Sequence, residues 1–247
     1  MIKIVENSPQ LIQINATDSV DFEMPHVCFL AKGSVDGFHF KMDKIQALFP
    51  DSELNRYKGR LETAKESILS RLILFDFLSK HCHVNTKLLK INYSDSGKPY
   101  FENRNIHFSI AHSGQMVFVA ISFYRAIGID FEFETPKKDF NILAKRFFHL
   151  EEYNFLNACK EEDLAIAFLK MWIKKEAIVK CLGETMFSMM SKINTLDNFI
   201  YSPDNQNIDL INISLINAKK TDVNISLASI DCLQKVYFLD YNDFEKR

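Results

Sequence analysis

Two short segments of the chain carry charged side chains at spacings that could do chemistry. In the first, residues 126–134, apolar residues alternate with Gly128, Asp130, Glu132 and Glu134. Side chains two apart on a strand share a face, so Asp130 and Glu132 project together, about 7 Å apart. An exposed face would carry this pattern at no cost, whereas on a covered face two like charges need a cation. Oxygen ligands of this type suit Mg²⁺.

The second segment, residues 172–180, is expected to form the last turns of a long helix. It contains the only tryptophan, Trp172, followed by Glu176 and Lys180 at steps of four residues. Residues four apart are neighbours on a helix. Taken alone, Glu176 and Lys180 could form an ordinary surface ion pair, worth a few tenths of a kcal/mol.

These segments need elements that hold them in place, and hydrophobic periodicity predicts those elements. Amphipathic helices are predicted over 61–80 and 161–182, the second ended by Gly183, and a short helix over 141–148. Strands are predicted over 27–31, 88–93, 116–122, 126–134, 209–216, 224–230 and 236–239, and in the stretch that begins at Ile106 and breaks at Ser113-Gly114. One long helix in each half, with strands around it, hints at two similar subdomains.

Composition excludes several classes of protein. The chain has 247 residues, of which 47% are hydrophobic, enough for one large domain or two small ones. A net charge of -2 provides no basic field for nucleic acid or anionic membrane. Five scattered cysteines favour reduced thiols, and no apolar run reaches the roughly 20 residues that span a bilayer. We therefore expect a cytoplasmic protein that binds neither nucleic acid nor membrane.

The ordered set of motifs resembles the Sfp-type 4'-phosphopantetheinyl transferases. The matching segments are Gly97-Lys98-Pro99, Ile110-Ala111-His112-Ser113-Gly114, Ile127-Gly128-Ile129-Asp130-Phe131-Glu132, Arg146-Phe147-Phe148, and Trp172-x-x-Lys175-Glu176-x-x-x-Lys180. Each motif alone is weak, but their order and spacing together are specific. With this resemblance, the surface-pair interpretation of Glu176 and Lys180 loses most of its weight.

The resemblance implies a fold and an activity. The implied fold is α+β, with two subdomains related by a pseudo-twofold, each a small, mainly antiparallel sheet packed on a long helix. Subdomain 1–124 would contact the nucleotide of coenzyme A. Subdomain 125–247 would carry the metal site and catalytic helix, with the active site at their interface. The enzyme would transfer the 4'-phosphopantetheine arm of coenzyme A to a serine of an acyl or peptidyl carrier protein, releasing adenosine 3',5'-bisphosphate, and would act as a monomer.

The same resemblance implies roles for individual residues. Asp130, Glu132 and Glu176 would bind Mg²⁺, with Mn²⁺ as a possible substitute, and Glu176 would be the general base, directly or through a water. Lys180 would contact the pyrophosphate and His112 phosphate oxygens, so that Glu176, Lys180 and His112 form the expected catalytic set. The expected coenzyme A contacts are Lys98, His112, Ser113, Lys175 and Lys180, with Ser67, Arg56, Lys58 and Arg60 near the 3'-phosphate.

Two departures from the family's pattern keep other functions open. Ala111 stands where the family often has serine, and Glu184 follows Gly183 where a lysine is usual. These changes motivate an alternative, a non-catalytic module that binds coenzyme A or a carrier protein. A third hypothesis is metal-assisted hydrolysis of a nucleotide pyrophosphate on the same carboxylates.

Overall fold

The computed structural model describes residues 2–6, 8–14, 26–60, 63–102, 105–132, 140–197, 199–200, 208–216, 222–230 and 232–241. The helices are α1 (Met42–Leu48), α2 (Asp51–Tyr57), α3 (Lys65–Cys82), α4 (Phe140–Phe147), α5 (Leu150–Ala158), α6 (Glu161–Leu182) and α7 (Met186–Met189), with 3-10 turns at Thr86–Leu88 and Met190–Lys192. The strands are β1 (Ile2–Glu6), β2 (Gln10–Gln13), β3 (Val27–Ser34), β4 (Ile91–Tyr93), β5 (Pro99–Phe101), β6 (Ile106–Ser113), β7 (Met116–Phe123), β8 (Ile127–Glu132), β9 (Ile193–Asn194), β10 (Phe199–Ile200), β11 (Ile208–Ile216), β12 (Asp222–Ile230) and β13 (Lys235–Asp240). The predicted α+β class is confirmed.

The chain divides into two compact units, which we name by their long helices. The α6 unit comprises Met1–Pro9 and Arg125–Leu233, and the α3 unit comprises Gln10–Tyr124 and Gln234–Arg247. One boundary between the units lies after Tyr124. The first residues of the chain belong to the α6 unit and the last residues to the α3 unit, so neither unit is continuous in sequence.

The α6 unit is built on a six-stranded sheet in the order β8-β12-β11-β1-β10-β9. All its pairings are antiparallel except β1 with β11, which is parallel. Helix α6 packs on β8 and β12, so the strand with the predicted acidic pair lies directly against the helix with Glu176.

Aromatic side chains anchor α6 within its unit. The ring of Trp172 stacks on Phe168 at a centroid distance of 5.6 Å and meets Phe147 edge-on at 6.0 Å. Phe148 stacks on Phe168 at 5.0 Å. Offset and edge-on aromatic pairs contribute beyond their buried area, and here they fasten α6 to the chain at the end of α4.

The α3 unit contains a five-stranded sheet in the order β2-β13-β3-β7-β6 and a separate β4-β5 hairpin. Strand β13 runs parallel to both β2 and β3, and the other pairings are antiparallel. Helix α3 packs on β3 and β7 and is buried continuously from Ile68 to Leu78. The sheets of both units are thus mixed rather than purely antiparallel.

Most predicted elements are present, and the differences have local causes. The predicted helix 161–182 coincides with α6, which ends at Gly183 with a φ of +72°. Helix α3 begins at Lys65 rather than 61, and residues 61–62 lie outside the described part of the chain. The predicted strand 88–93 is shorter because Thr86–Leu88 forms a 3-10 turn. No described helix has the length and apolar character needed to cross a membrane.

Candidate active site

In the α6 unit, the structure brings three of the predicted site residues together. The ammonium of Lys180 lies 2.7 Å from Asp130 Oδ1 and 3.6 Å from Glu176 Oε2. Asp130 is 6% exposed, whereas the side chains of Lys180 and Glu176 are 31% and 19% exposed. Because Asp130 comes from β8 and the other two from α6, this is a tertiary cluster and not simply a surface i,i+4 pair.

Gly128 explains how β8 and α6 approach closely enough to form the cluster. A Cβ atom at this position would lie 2.9 Å from Cα of Cys181, and closer still to the Ala177 carbonyl oxygen and the Cys181 amide nitrogen. The β12 residues opposite these two positions are also small, since Gly128 pairs with Ala228 and Asp130 with Ser226. Only glycine allows the helix backbone this close to the strand.

The cluster strongly perturbs the titration of Asp130. The pKa of Asp130 is raised to about 7, chiefly by burial and secondly by the nearby Glu176 and Glu132 carboxylates, while Lys180 opposes the shift. The carboxylates of Asp130, Glu176 and Glu132 repel one another, and this repulsion favours binding of a cation among them. In the structure, Lys180 supplies the positive charge.

The pKa of Lys180 is also raised, but for a different reason. Burial alone would lower its pKa, but Asp130 and Glu176 outweigh burial, and the pKa lies above its ordinary value. Lys180 is therefore a permanent cation at neutral pH.

Within the described ranges, no three His, Cys, Asp or Glu side chains are already arranged around a common point as a metal site. The oxygen donors of Asp130, Glu176 and Glu132 nevertheless match the chemistry of a hard divalent ion, and their mutual repulsion would be relieved by one.

Lys175 requires a correction, because the structure places it away from this cluster. Its side chain has no exposed surface, and its ammonium pairs with Glu152 and donates to the Ile193 carbonyl. Burial lowers its pKa to about 8, while Glu152 opposes the shift. A fully buried lysine with two partners has no route to nucleotide phosphates, so we remove it from the candidate ligand set.

Glu152 is the residue that sequence reasoning missed. Its other carboxylate oxygen accepts hydrogen bonds from the Thr195 amide at 2.8 Å and the Thr195 hydroxyl at 2.7 Å. Glu152 thus ties α5, α6 and the turn after β9 to one buried carboxylate. The sequence shows two adjacent glutamates, Glu151 and Glu152, and only the packing of α5 against α6 identifies Glu152 as the buried one.

In the α3 unit, the predicted hydroxyl and cations lie around the end of α2. The Ser67 hydroxyl is 2.7 Å from the Tyr57 hydroxyl, at the point where the chain continues into Lys58. Lys58 and Arg60 are exposed. Arg56 contacts the Tyr93 hydroxyl and lies 4.7 Å from the centre of its ring.

A buried arginine organises this part of the α3 unit. Arg71 is 5% exposed, donates to Glu53 Oε2 at 3.2 Å and to the Tyr93 hydroxyl at 3.2 Å. Tyr93 therefore receives one arginine from α2 and another from α3. Neither Arg71 nor Tyr93 was singled out from the sequence, because nothing local indicates that a residue of β4 meets two helices.

The remaining predicted residues lie on the β4-β5 hairpin and on β6. Lys98 is in the hairpin turn, where its amide donates to the Ser94 hydroxyl at 3.0 Å. Burial, and next the charge of Lys98, lowers the pKa of His107, which places this unpredicted histidine near Lys98. His112 is exposed and Ser113 partly exposed at the far end of β6.

The two departures also have defined surroundings. Ala111 is 3% exposed within β6, so this alanine exposes almost no surface for a ligand. Glu184 is exposed and accepts a hydrogen bond from the Ser188 hydroxyl at 3.2 Å, which helps to order the start of α7.

Comparison with known proteins identifies the chain's relatives. HetI of Nostoc sp., a 4'-phosphopantetheinyl transferase, is 34% identical over 118 residues, covering 46% of this chain and 50% of that protein. The 4'-phosphopantetheinyl transferase gsp of Aneurinibacillus migulanus is 31% identical over 127 residues, covering 51% and 52%. AcpT of Escherichia coli, another such transferase, is 27% identical over 155 residues, covering 62% and 78%.

The matches to HetI and gsp span about half the length of those relatives. Two family models extend the similarity over most of the chain. The 4'-phosphopantetheinyl transferase superfamily matches residues 126–228, and the 4'-phosphopantetheinyl transferase N-terminal family matches residues 32–123. The first match contains Asp130, Glu176 and Lys180, and the second contains the predicted nucleotide contacts. The chain therefore belongs to the 4'-phosphopantetheinyl transferase family.

Proposed function

We propose that this protein transfers the 4'-phosphopantetheine arm of coenzyme A to a serine of an acyl or peptidyl carrier protein. The observation that carries the proposal is the cluster in which Asp130 and Glu176 share Lys180. The reaction forms a bond between the serine Oγ and a pyrophosphate phosphorus, breaks the bridging P–O bond and releases adenosine 3',5'-bisphosphate. The serine proton must move to a base as the bond forms.

Glu176 is the residue best suited to accept that proton. It is partly exposed, unlike the buried Asp130, and it is held on a rigid helix by the adjacent Lys180. Lys180 is a cation at neutral pH and has exposed surface, so it can stabilise negative charge on the leaving phosphate. Phosphoryl transfer depends mainly on such positioning and charge stabilisation.

Asp130, Glu132 and Glu176 are the residues that would hold a divalent metal ion, with Mg²⁺ as our choice and Mn²⁺ as an alternative. Such an ion supplies charge neutralisation for the pyrophosphate. The proposal rests on the oxygen-only donor set and on the burial and, secondly, the mutual repulsion that raise the pKa of Asp130. The hydrogen bond that Lys180 donates to Asp130 Oδ1 orients that carboxylate.

The nucleotide end of coenzyme A is assigned to the α3 unit. We propose Ser67, Lys58 and Arg60 as contacts for the 3'-phosphate, because a hydroxyl and two exposed cations surround the end of α2. Arg56 belongs to this group but has a competing partner in Tyr93. Lys98, His112 and Ser113 complete the proposed set.

The decisive experiment is mass spectrometry of several acyl and peptidyl carriers incubated with the protein, coenzyme A and Mg²⁺. We expect a gain equal to one phosphopantetheine group on the carrier serine. Absence of that gain with every carrier would contradict the proposal, whereas coenzyme A cleavage without a carrier would indicate hydrolysis. Coenzyme A binding by calorimetry without turnover would indicate a binding module.

The variant Glu176→Gln tests the assignment of the base. It should reduce the rate of transfer by about 10²-fold to 10⁴-fold, because a general base typically contributes a factor in this range. Glu162→Gln is the matched control, because Glu162 is an exposed glutamate on the same helix. Equal turnover by both variants would remove Glu176 from the catalytic set.

Finer features of the proposal are tested separately. Membership of the Sfp-type subclass is supported by the presence of one long helix on a mixed sheet in each unit. We also propose that the enzyme acts as a cytoplasmic monomer. Sedimentation equilibrium that shows an obligate oligomer would contradict the last point.

A further inference from the structure

An open cleft in the α6 unit lies on the side of α6 that faces away from Glu176. Its volume is about 310 Å³, at the lower end of the range for small-molecule sites. Phe155 of α5, Ala167 and Lys170 of α6, and Leu196 of the turn after β9 are among its lining residues. Ala167 and Glu176 are nine residues apart, which is two and a half turns, so they project from opposite sides of the helix.

The body of the cleft is apolar and open to solvent. Phe155, Ile166 and Leu196 form its rim and are 45%, 53% and 40% exposed, while Met171 is 7% exposed. Large apolar side chains that are this exposed and also contiguous are unusual unless something covers them. The small side chain of Ala167 leaves the space between them open.

One end of the cleft is positively charged. Lys170 and Lys174 are one helical turn apart, about 5–6 Å between Cβ atoms. Lys174 pairs with Glu6 of β1 at 2.6 Å, whereas Lys170 forms no ion pair with any residue that the structure describes. The carboxylate in the lining, Asp163, lies seven residues before Lys170, about 10 Å along the helix. An apolar slot with a cation at one end suits an amphiphile whose charged end is negative.

We propose that this cleft binds a free amphiphilic monocarboxylate of medium chain length. The apolar chain would cover Ala167, Ile166 and Leu196, and the carboxylate would pair with Lys170. A single lysine supplies one positive charge without the paired donors of an arginine fork, and this is sufficient for a carboxylate monoanion. The site is separate from the proposed transferase reaction, since it lies on the other side of α6.

Titration calorimetry with sodium octanoate, 1-octanol and octylamine on the full chain tests the proposal. Octanoate should bind up to about fivefold more tightly than octanol, the most that one exposed ion pair can supply, and octylamine should bind least. Binding should saturate at one molecule per chain. Equal binding of octanoate and octanol, or no octanoate binding below its micelle concentration, would overturn the proposal.

Two variants locate the site. Ala167→Trp should fill the cleft and abolish binding, and Lys170→Glu should weaken octanoate about fivefold or more while leaving octanol unchanged. Lys192→Glu is the matched control, since Lys192 is an exposed lysine outside the cleft. Because Lys170 is on the surface, its variant remains informative if Ala167→Trp does not fold.

A last arm separates a free amphiphile from a membrane surface. The protein is sedimented with phosphatidylglycerol vesicles in the presence and absence of octanoate. We expect that Lys170→Glu does not change the amount of protein that sediments with the vesicles. Vesicle binding that Lys170→Glu abolishes, together with no response to free octanoate, would assign the cleft to a lipid surface and overturn the proposal.

Discussion

Replacement of Gly128 by alanine tests whether the close approach of β8 to α6 creates the candidate site. Carbon atoms pack at about 3.5–4.0 Å, whereas the new Cβ would lie 2.9 Å from Cα of Cys181. The helix would therefore have to retreat by at least about 0.6 Å at Cys181, and further at the Ala177 carbonyl. The obstructing atoms belong to the backbone, so no side-chain rotation relieves the overlap.

This displacement has two expected consequences. Overpacking a close contact costs about 1–3 kcal/mol, and occasionally more, so the free energy of unfolding should fall by about that amount. Lys180 neighbours Cys181 on α6, and its 2.7 Å contact with Asp130 would lengthen to beyond about 3.3 Å, outside good hydrogen-bond geometry. Carrier modification should fall by up to about 10²-fold, as expected for such a misplacement of reacting groups.

Urea unfolding followed by circular dichroism measures the first effect, and carrier mass spectrometry measures the second. Gly33→Ala is the matched control, because the three atoms nearest to a Cβ at Gly33 on β3 belong to the side chains of Ile73 and Leu69. Those atoms can move, so this variant should lose less stability and leave the α6 unit unaffected. A Gly128→Ala protein with wild-type stability and full transfer would show that backbone contact does not determine the spacing.

Three further outcomes are expected from the same cluster and its support. Lys175→Met should lower the free energy of unfolding, measured in urea, by about 3–5 kcal/mol, because it leaves Glu152 buried without its cation. The double variant Lys175→Met/Glu152→Met should recover part of this loss, because it removes the unpaired charge. In metal-free wild-type protein, native Asp130 holds its proton to about pH 7, whereas the unfolded carboxyl holds it only to about pH 4. The free energy of unfolding should therefore fall as pH rises between these values. Asp130→Asn should remove this pH dependence of stability. Mg²⁺ should raise the melting temperature of wild type and have a smaller effect on Asp130→Asn; equal shifts would exclude Asp130 as a ligand.

Local patterns predicted the elements of this fold better than they predicted the partners of single residues. The full extent of helix α6 is predicted because a long apolar stripe ends at Gly183, and the structure gives this glycine the positive φ typical of a helix end. The alternation of β8 correctly placed Asp130 and Glu132 on one strand, although residues 133–134 lie outside the described chain. The parallel pairings of β1 and β13 with distant strands could not be predicted, since no local pattern specifies which strand is the neighbour.

The lysines on either side of Glu176 show where sequence reasoning reaches its limit. Lys180 lies one turn from Glu176 and therefore shares its face, which the i,i+4 spacing predicts. Lys175 precedes Glu176 and is rotated by about 100°, so it points toward another part of the unit. Only the position of α5 in the structure shows that Lys175 points toward Glu152, and that the two side chains form a fully buried ion pair. Two lysines of the same motif thus have different roles: Lys180 faces the candidate reaction site, and Lys175 fixes the rotation of the helix that carries it.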